Sequence, residues 1–164
     1  LKGWIKVSNT KVNYPFVQTK DNDYYLTHSF DKSYNSAGWI FEDYRNNNFN
    51  DKNTIIYGHG RNDNIMFGSL KQCINSNYFN KDNFIYITSF DKIYTYQIFS
   101  IYKIKTTSDY LDLNIDSNFI NTIRERSLYK NNNIIVTSND KLLTLSTCYN
   151  NNYKVVLHAK LINN

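Results

Sequence analysis

Apolar residues are distributed along most of the chain in the manner of β-strands. Short runs rich in Ile, Val, Tyr, Phe and Thr alternate with segments rich in Asn, Asp, Ser and Lys. No helical pattern alternates regularly with these runs, which favours a mostly β protein with a closed or nearly closed barrel. The runs predict strands at residues 4–7, 12–17, 38–41, 53–58, 84–88, 93–104, 141–148 and 153–162.

Turn-forming residues connect some of these runs directly. The segment 8–10 separates the first two predicted strands, and the segment 89–92 separates 84–88 from 93–104. Both pairs are therefore predicted to form hairpins. Helical spacing occurs near 117–128, where four apolar residues recur, Asp116 or Ser117 can serve as N-cap, and arginines lie near the end. A short helical turn is predicted at 67–73.

Length and composition restrict the class of protein. The 164 residues predict one domain, spanning 1–164, with enough chain to bury a core. Asparagine, lysine, isoleucine and tyrosine are unusually common, which is typical of an A/T-rich, clostridium-like genome. The net charge of +5 is scattered rather than clustered, so nucleic-acid binding is not expected. No apolar run is long enough to span a membrane.

Metal and cofactor chemistry is not indicated. The two cysteines, Cys73 and Cys148, are far apart, and the sequence contains neither a CxxC nor an HExxH motif. We therefore expect no metal and no cofactor. Two interpretations of the cysteines stay open: they form one disulfide, or one is a structural thiol and the other a reactive thiol. Cys73 lies in the apolar helical turn and is predicted to be a packing residue.

Cys148 and His59 are the candidates for chemistry. Cys148 ends a buried strand where the chain enters a polar loop, and His59 lies between two glycines at the end of another strand. A cysteine and a histidine distant in sequence form the general pattern of thiol nucleophilic catalysis, although His59 alone could be an ordinary loop residue. His158 is predicted to be a hydrogen-bonded packing residue, and His28 a surface or groove residue.

Several of these sequence segments, taken together, resemble those of a known family. Thr144-Leu145-Ser146-Thr147-Cys148 matches the TLxTC signature of the sortases, the cell-wall transpeptidases of Gram-positive bacteria. The resemblance to the class B branch of that family extends in order over nearly the whole chain, through residues 3–18, 24–45, 55–70 and 155–161. It implies an eight-stranded sortase-type β-barrel with a few short helices, one of them at 117–128 between two late strands.

The resemblance also implies a catalytic site. Cys148 would be the nucleophile and His59 its acid–base partner, with Ser146 and Thr147 contacting the substrate. The family's arginine is replaced by Lys154, which supplies a positive charge without the planar fork of a guanidinium. Arg61, close to His59 in sequence, is the alternative source of that charge.

The implied activity is cysteine transpeptidation. The enzyme would cleave the sorting-signal peptide of a secreted protein and pass the acyl group to an amine of peptidoglycan or a pilin. Two alternatives stay open: a sortase-like binding module with weak or no turnover, and a thiol peptidase that only hydrolyses. The chain begins at Leu1, so we expect a membrane anchor to precede it and to hold the domain at the extracellular face of the membrane or in the cell wall.

Overall fold

Eight strands make up the framework of the protein. The computed structural model describes residues 1–80, 83–150 and 152–163, with the backbone alone at 79, 80 and 148–150. The strands run at Gly3–Val7 (β1), Asn13–Phe16 (β2), Phe41–Glu42 (β3), Asn53–Gly58 (β4), Phe84–Ser89 (β5), Lys92–Lys105 (β6), Leu142–Asn150 (β7) and Tyr153–Asn163 (β8). Seven of the predicted strands form close to their predicted bounds, whereas the run predicted at 38–41 becomes a strand only at its last residue and forms the two-residue strand Phe41–Glu42. β1–β2 and β5–β6 form the two predicted hairpins.

The strands join in one sheet that almost closes on itself. Their order is β2-β1-β5-β6-β8-β7-β4-β3. The two outer strands meet where Val17, just after β2, bridges Phe41 of β3. The Val17 amide donates to the Ile40 carbonyl at 3.1 Å, and the Glu42 amide donates to the Val17 carbonyl at 2.8 Å. These bonds turn the sheet into a nearly closed barrel, as predicted.

Two apolar cores stabilise this barrel. The larger fills its interior and includes Leu145, Val155 and Leu157, whereas Val156 faces outward and packs in a second core beneath a helix. That alternation along β8 is the two-residue period of a strand. Each face of β8 is therefore buried against a different layer.

The covering helix, α1, spans Ser117–Arg126. Asp116 is its N-cap, and its carboxylate accepts a hydrogen bond from the Phe119 amide at 2.8 Å. The helix ends two residues before the predicted position, because Ser127 adopts an extended backbone and its hydroxyl bonds to neighbouring main-chain groups. Short 3-10 helices occur at Tyr24–Leu26, Gly68–Ile74 and Ser76–Asn80, the second of them at the predicted helical turn. Within the described residues, no helix has the length and apolar character needed to cross a membrane.

Candidate active site

Three neighbouring strands bring the predicted catalytic residues to one rim of the barrel. β4 and β7 run parallel, with Gly58 opposite Thr147, so both strands end at the same edge of the sheet. His59 directly follows β4 there. β8 runs antiparallel to β7, and Lys154 is the register partner of Cys148. The backbone of Cys148 thus lies between the strand end that carries His59 and the strand that carries Lys154; its side chain is outside the described part of the structure.

A cavity of about 300 Å³ opens at this rim. Its lining brings His59 together with Ser146 and Lys154, which both lie more than eighty positions after it in sequence. The remaining wall is mostly apolar and aromatic, with one amide. In full, the described lining residues are Asn22, Leu26, Phe41, Tyr57, Gly58, His59, Ser146 and Lys154.

The orientation of His59 is fixed by a backbone group. Its Nε2 atom lies 2.7 Å from the carbonyl oxygen of Leu26. A carbonyl oxygen only accepts hydrogen bonds, so Nε2 carries the proton and Nδ1 of the neutral ring keeps its lone pair. Gly58 is needed just before it because a Cβ at this position would come within 2.7 Å of the Phe67 ring. The glycine therefore allows close packing at the strand end.

Lys154 and Ser146 both lie on the cavity wall. Lys154 is half-buried, and none of the described carboxylates forms an ion pair with it. Ser146 is 4% exposed, and its hydroxyl lies 2.8 Å from the Tyr110 hydroxyl. The adjacent Thr147 lies on the other face of β7, toward the barrel interior, where it is 2% exposed. Its hydroxyl has no hydrogen-bond partner among the described residues.

Arg61 and Cys73 have other roles in the structure. The Arg61 guanidinium forms a two-point interaction with the Asp63 carboxylate, at 3.0 and 3.1 Å, and Arg61 is not among the described residues that line the cavity. Cys73 is a free, fully buried thiol in the barrel core, as the packing prediction required. Burial raises the pKa of Cys73 to about 12, so it is protonated at neutral pH.

The other two histidines also lie where predicted. His158 is fully buried, and its two ring nitrogens lie 2.8 Å from the hydroxyls of Tyr102 and Thr144. Burial lowers the pKa of His158 to about 3, so the ring is neutral and structural. His28 is half-buried on the loop beside the cavity and stacks on Tyr24, with ring centroids 4.1 Å apart.

Sequence reasoning missed most of the cavity wall. Asn22, Leu26, Phe41 and Tyr57 line the cavity, but none had been assigned a role. They come from a loop, a 3-10 helix and two strands, so no local spacing relates them. Behind Asn22 and Tyr57 lies the buried carboxylate of Asp43. The sequence offered one indication of this carboxylate, because Asp43 and Arg45 form a charged Asp-x-Arg pattern directly after a short strand.

The electrostatics behind the wall are well defined. Burial alone would raise the pKa of Asp43, but hydrogen bonds from Arg45 and Tyr57 outweigh it and hold that pKa below its usual range. Burial and the Asp43 carboxylate together raise the pKa of Tyr57. Asp43 is therefore an anion at neutral pH, and Tyr57 stays protonated and donates to it. Within the described residues, no group of three or more acidic, histidine or cysteine side chains could hold a metal ion.

The chain is similar in sequence and in fold to proteins of known class. The family described as "Sortase domain" matches residues 5–162. Sortase B of Listeria monocytogenes is 36% identical over 157 residues, which cover 89% of this chain and 61% of that protein. Sortase B of Staphylococcus aureus is 35% identical over 170 residues, covering 98% of this chain and 69% of that protein. The chain thus spans less than two thirds of the Listeria protein.

Solved structures of sortase B are also similar to this chain. Clostridium perfringens sortase B superimposes with a TM-score of 0.92 at 34% identity, covering 99% of this chain and 93% of that one. A Staphylococcus aureus sortase B–substrate complex gives 0.90 at 34% identity, with coverages of 99% and 79%. A sortase B complexed with Gly3 gives 0.91 at 33%, with coverages of 99% and 80%. These proteins share the eight-stranded barrel fold with this chain. The chain belongs to the sortase family, in its class B branch.

Proposed function

We propose that this protein is a cysteine transpeptidase that joins a sorting-signal peptide to an amine. The observation that carries the proposal is the register of three adjacent strands. It sets the backbone of Cys148 between the end of β4, where His59 stands, and Lys154, at a cavity that both of these side chains line. A nucleophile, an acid–base group and a cation at one cavity are what acyl transfer through a thioester requires.

The first half of the reaction forms the thioester. The Cys148 thiolate attacks the scissile carbonyl carbon, and the carbonyl π electrons move to oxygen. When the tetrahedral intermediate collapses, the C–N bond breaks and the amine leaves. The His59 imidazolium supplies the proton that this nitrogen takes up. Since Nε2 is bonded to the Leu26 carbonyl, the transferred proton comes from Nδ1.

The second half reverses the proton transfer. Nδ1 of neutral His59 accepts a proton from the incoming amine as its nitrogen attacks the thioester. The C–S bond then breaks, a new amide forms, and the thiolate is restored. The incoming amine is assigned to a peptidoglycan or pilin group; the Gly3 bound by a related sortase B supports an amine of a short glycine peptide. The substrate complex of the Staphylococcus aureus protein likewise supports a peptide donor.

Lys154 and Ser146 complete the proposed site. Lys154 would stabilise the oxyanion of both tetrahedral intermediates and lower the pKa of the Cys148 thiol, because nearby positive charge favours anions. Ser146 is the better candidate for a substrate contact, since it lines the cavity whereas Thr147 faces the barrel interior.

The setting of the reaction follows from the family. We propose that residues 1–164 form one catalytic domain that acts at the extracellular face of the membrane or in the cell wall. The protein would be held there by an anchor outside this sequence. Both the donor and the acceptor of the proposed reaction are found in that compartment.

An assay with and without an amine tests the proposal. The protein is incubated with an internally quenched peptide library randomised at its central positions, with or without triglycine, and products are identified by mass spectrometry. Triglycine-dependent ligation and an acyl adduct on Cys148 are expected. Cleavage without ligation would favour a thiol peptidase, and binding without an adduct would favour a module that lacks turnover; either would overturn transpeptidation.

A further inference from the structure

Asp43 is the most highly hydrogen-bonded carboxylate near the cavity. It is fully buried just after β3. Its Oδ1 accepts from the Arg45 amide and from Arg45 Nε, both at 2.9 Å. Its Oδ2 accepts from a second Arg45 nitrogen at 3.0 Å, from the Tyr57 hydroxyl at 2.7 Å and from the Asn22 side-chain amide at 3.1 Å. Five donors thus converge on one carboxylate.

Two of these donors belong to the cavity wall. Asn22 comes from the loop that precedes the Tyr24–Leu26 helix, and Tyr57 comes from β4. They have no connection in sequence, yet the same oxygen atom of Asp43 holds both. Charge-assisted hydrogen bonds are shorter and stronger than neutral ones. The carboxylate therefore fixes the spacing between the loop side and the strand side of the cavity.

Arg45 allows the charge of Asp43 to be buried. The guanidinium forms an ion pair with the carboxylate, and it also donates to the Leu111 carbonyl at 2.9 Å. A buried charge that is paired and fully hydrogen-bonded holds its neighbours firmly, whereas the loss of one partner leaves an uncompensated group. Arg45 and Asp43 thus form a rigid support behind the wall.

The same support reaches His59 through the loop. Asn22 is fixed at Asp43 and also accepts a hydrogen bond from the Tyr44 amide at 3.0 Å. Four residues later, Leu26 provides the carbonyl that accepts the hydrogen bond from His59 Nε2. Displacement of Asn22 would therefore disturb both the shape of the cavity and the position of the group that orients His59.

We propose that Asp43 is a positioning residue for the acyl-transfer site, holding Asn22 and Tyr57 at the spacing that the peptide substrate requires. It touches neither the substrate nor the reacting atoms and acts through the two side chains that it binds. This inference rests on the proposed function, because it assumes that the cavity receives the peptide.

The test compares a variant of Asp43, which does not line the cavity, with a variant of Tyr57, the cavity-wall side chain that it binds. Asp43→Asn removes the charge and turns one acceptor oxygen into an NH2 donor, which cannot accept from Tyr57 and Asn22 at the Oδ2 position or from Arg45 at the Oδ1 position. KM for the peptide is expected to rise roughly tenfold, the size typical of one lost charge-assisted bond, with a smaller change in kcat. Tyr57→Phe removes the hydroxyl that donates to Asp43 and should also raise KM for the peptide. Because both variants break the same bond, their effects should not add in the double variant.

A matched control separates positioning from general stability. The Asp51 carboxylate also accepts hydrogen bonds from a side chain and from a backbone amide, namely those of Asn46 and Asn47. It forms no hydrogen bond or ion pair with any of the described cavity residues, so Asp51→Asn should lower the melting temperature without changing KM. An unchanged KM in Asp43→Asn, or full additivity with Tyr57→Phe, would overturn the inference. If Asp43→Asn does not fold, the Tyr57→Phe result decides alone, and an unchanged KM in that variant overturns it.

A binding measurement keeps this inference distinct from the proposed reaction. In a Cys148→Ala background, the Kd of a bound peptide from the library reports on the cavity without turnover. If the wild-type protein shows no transpeptidation but Asp43→Asn still weakens binding about tenfold, the reaction fails and the positioning role stands. If the wild-type protein shows transpeptidation but Asp43→Asn binds the peptide with unchanged Kd, the reaction stands and the positioning role fails.

Discussion

The carbonyl oxygen of Leu26 lies 2.7 Å from Nε2 of His59 and accepts a hydrogen bond from it. This contact joins a loop before β3 to the end of β4, and it leaves Nδ1 as the nitrogen available for proton transfer. A backbone carbonyl therefore performs at this site the orienting task that a carboxylate performs in a serine protease triad.

The tautomer of His59 can be observed directly. In protein labelled with ¹⁵N at histidine, neutral His59 should give the nitrogen shifts of a ring protonated on Nε2, because the Leu26 carbonyl requires a donor there. His28 provides an internal comparison, since its Nδ1 faces the Tyr24 carbonyl and should carry the proton instead. A His59 spectrum with Nδ1 protonated would contradict the assignment.

The two cysteines should differ sharply in reactivity. Iodoacetamide at neutral pH should modify Cys148 and leave Cys73 intact, because Cys73 is fully buried and its pKa is raised to about 12. Peptide mapping identifies the modified residue. In activity assays, Cys148→Ala should abolish turnover and Cys73→Ala should keep most of it. Turnover that survives in Cys148→Ala would remove that residue from the mechanism.

Lys154 should be necessary but replaceable by arginine. Lys154→Ala should reduce kcat/KM by ~10²–10³, the loss typical of one oxyanion donor. Lys154→Arg should retain or raise activity, since the guanidinium keeps the charge and adds donors. Lys160→Ala, on the same strand but bonded to the Ile135 carbonyl, is the matched control and should behave like the wild type. Arg61→Ala should also stay active, because Arg61 is paired with Asp63. Equal activity in Lys154→Ala and wild type would refute the role.

Glu42 should make the fold less stable at alkaline pH. It is fully buried in β3, and neither carboxylate oxygen has a hydrogen-bond partner among the described residues. Burial is the main cause that raises its pKa from 4.5 to about 7, against an opposing effect of Lys2. Between these values the folded chain binds more protons than the unfolded one, so the stability contributed below pH 4.5 is lost as the pH rises to about 7.

A neutral replacement at position 42 should remove that dependence. The rise of the Glu42 pKa from 4.5 to about 7 corresponds to about 3 kcal/mol, at about 1.4 kcal/mol per pKa unit. Relative to wild type, Glu42→Gln should therefore gain stability in urea titrations between pH 4.5 and pH 8. Glu125→Gln, on the exposed side of α1, should show no such gain. Parallel stability curves for Glu42→Gln and wild type would contradict the prediction.

The elements of the fold were predictable because their signals are local. Runs of β-branched and aromatic residues define the strands, and Asp116 followed by spaced apolar residues defines α1. The rim was predictable only in outline. His59 and Cys148 were recognisable at strand ends, but nothing in the sequence shows that β4 and β7 pair in parallel.

The remaining parts of the site depend on contacts between distant segments. Asn22 and Tyr57 meet only because both bind Asp43, and no periodic pattern connects them. Ser146 and Thr147 were both expected to contact the substrate, but adjacent strand residues face opposite sides. That rule alone shows that only one of the two can face the cavity. The structure identifies Ser146 as that residue.

The parallel pairing of β4 with β7 also has a consequence for folding. β4 ends at Gly58 and β7 begins only at Leu142. The β4–β7 pair can therefore form only after more than eighty intervening residues have folded back to bring the two strands together. Contacts between such distant segments carry a large loop-closure entropy and form late. Until then, Cys148 lacks its acid–base partner His59, although the local β7–β8 pair can already place Lys154 opposite it. Chemical reactivity should therefore appear only when the barrel is complete, which protects a chain that is still folding from premature acylation or oxidation.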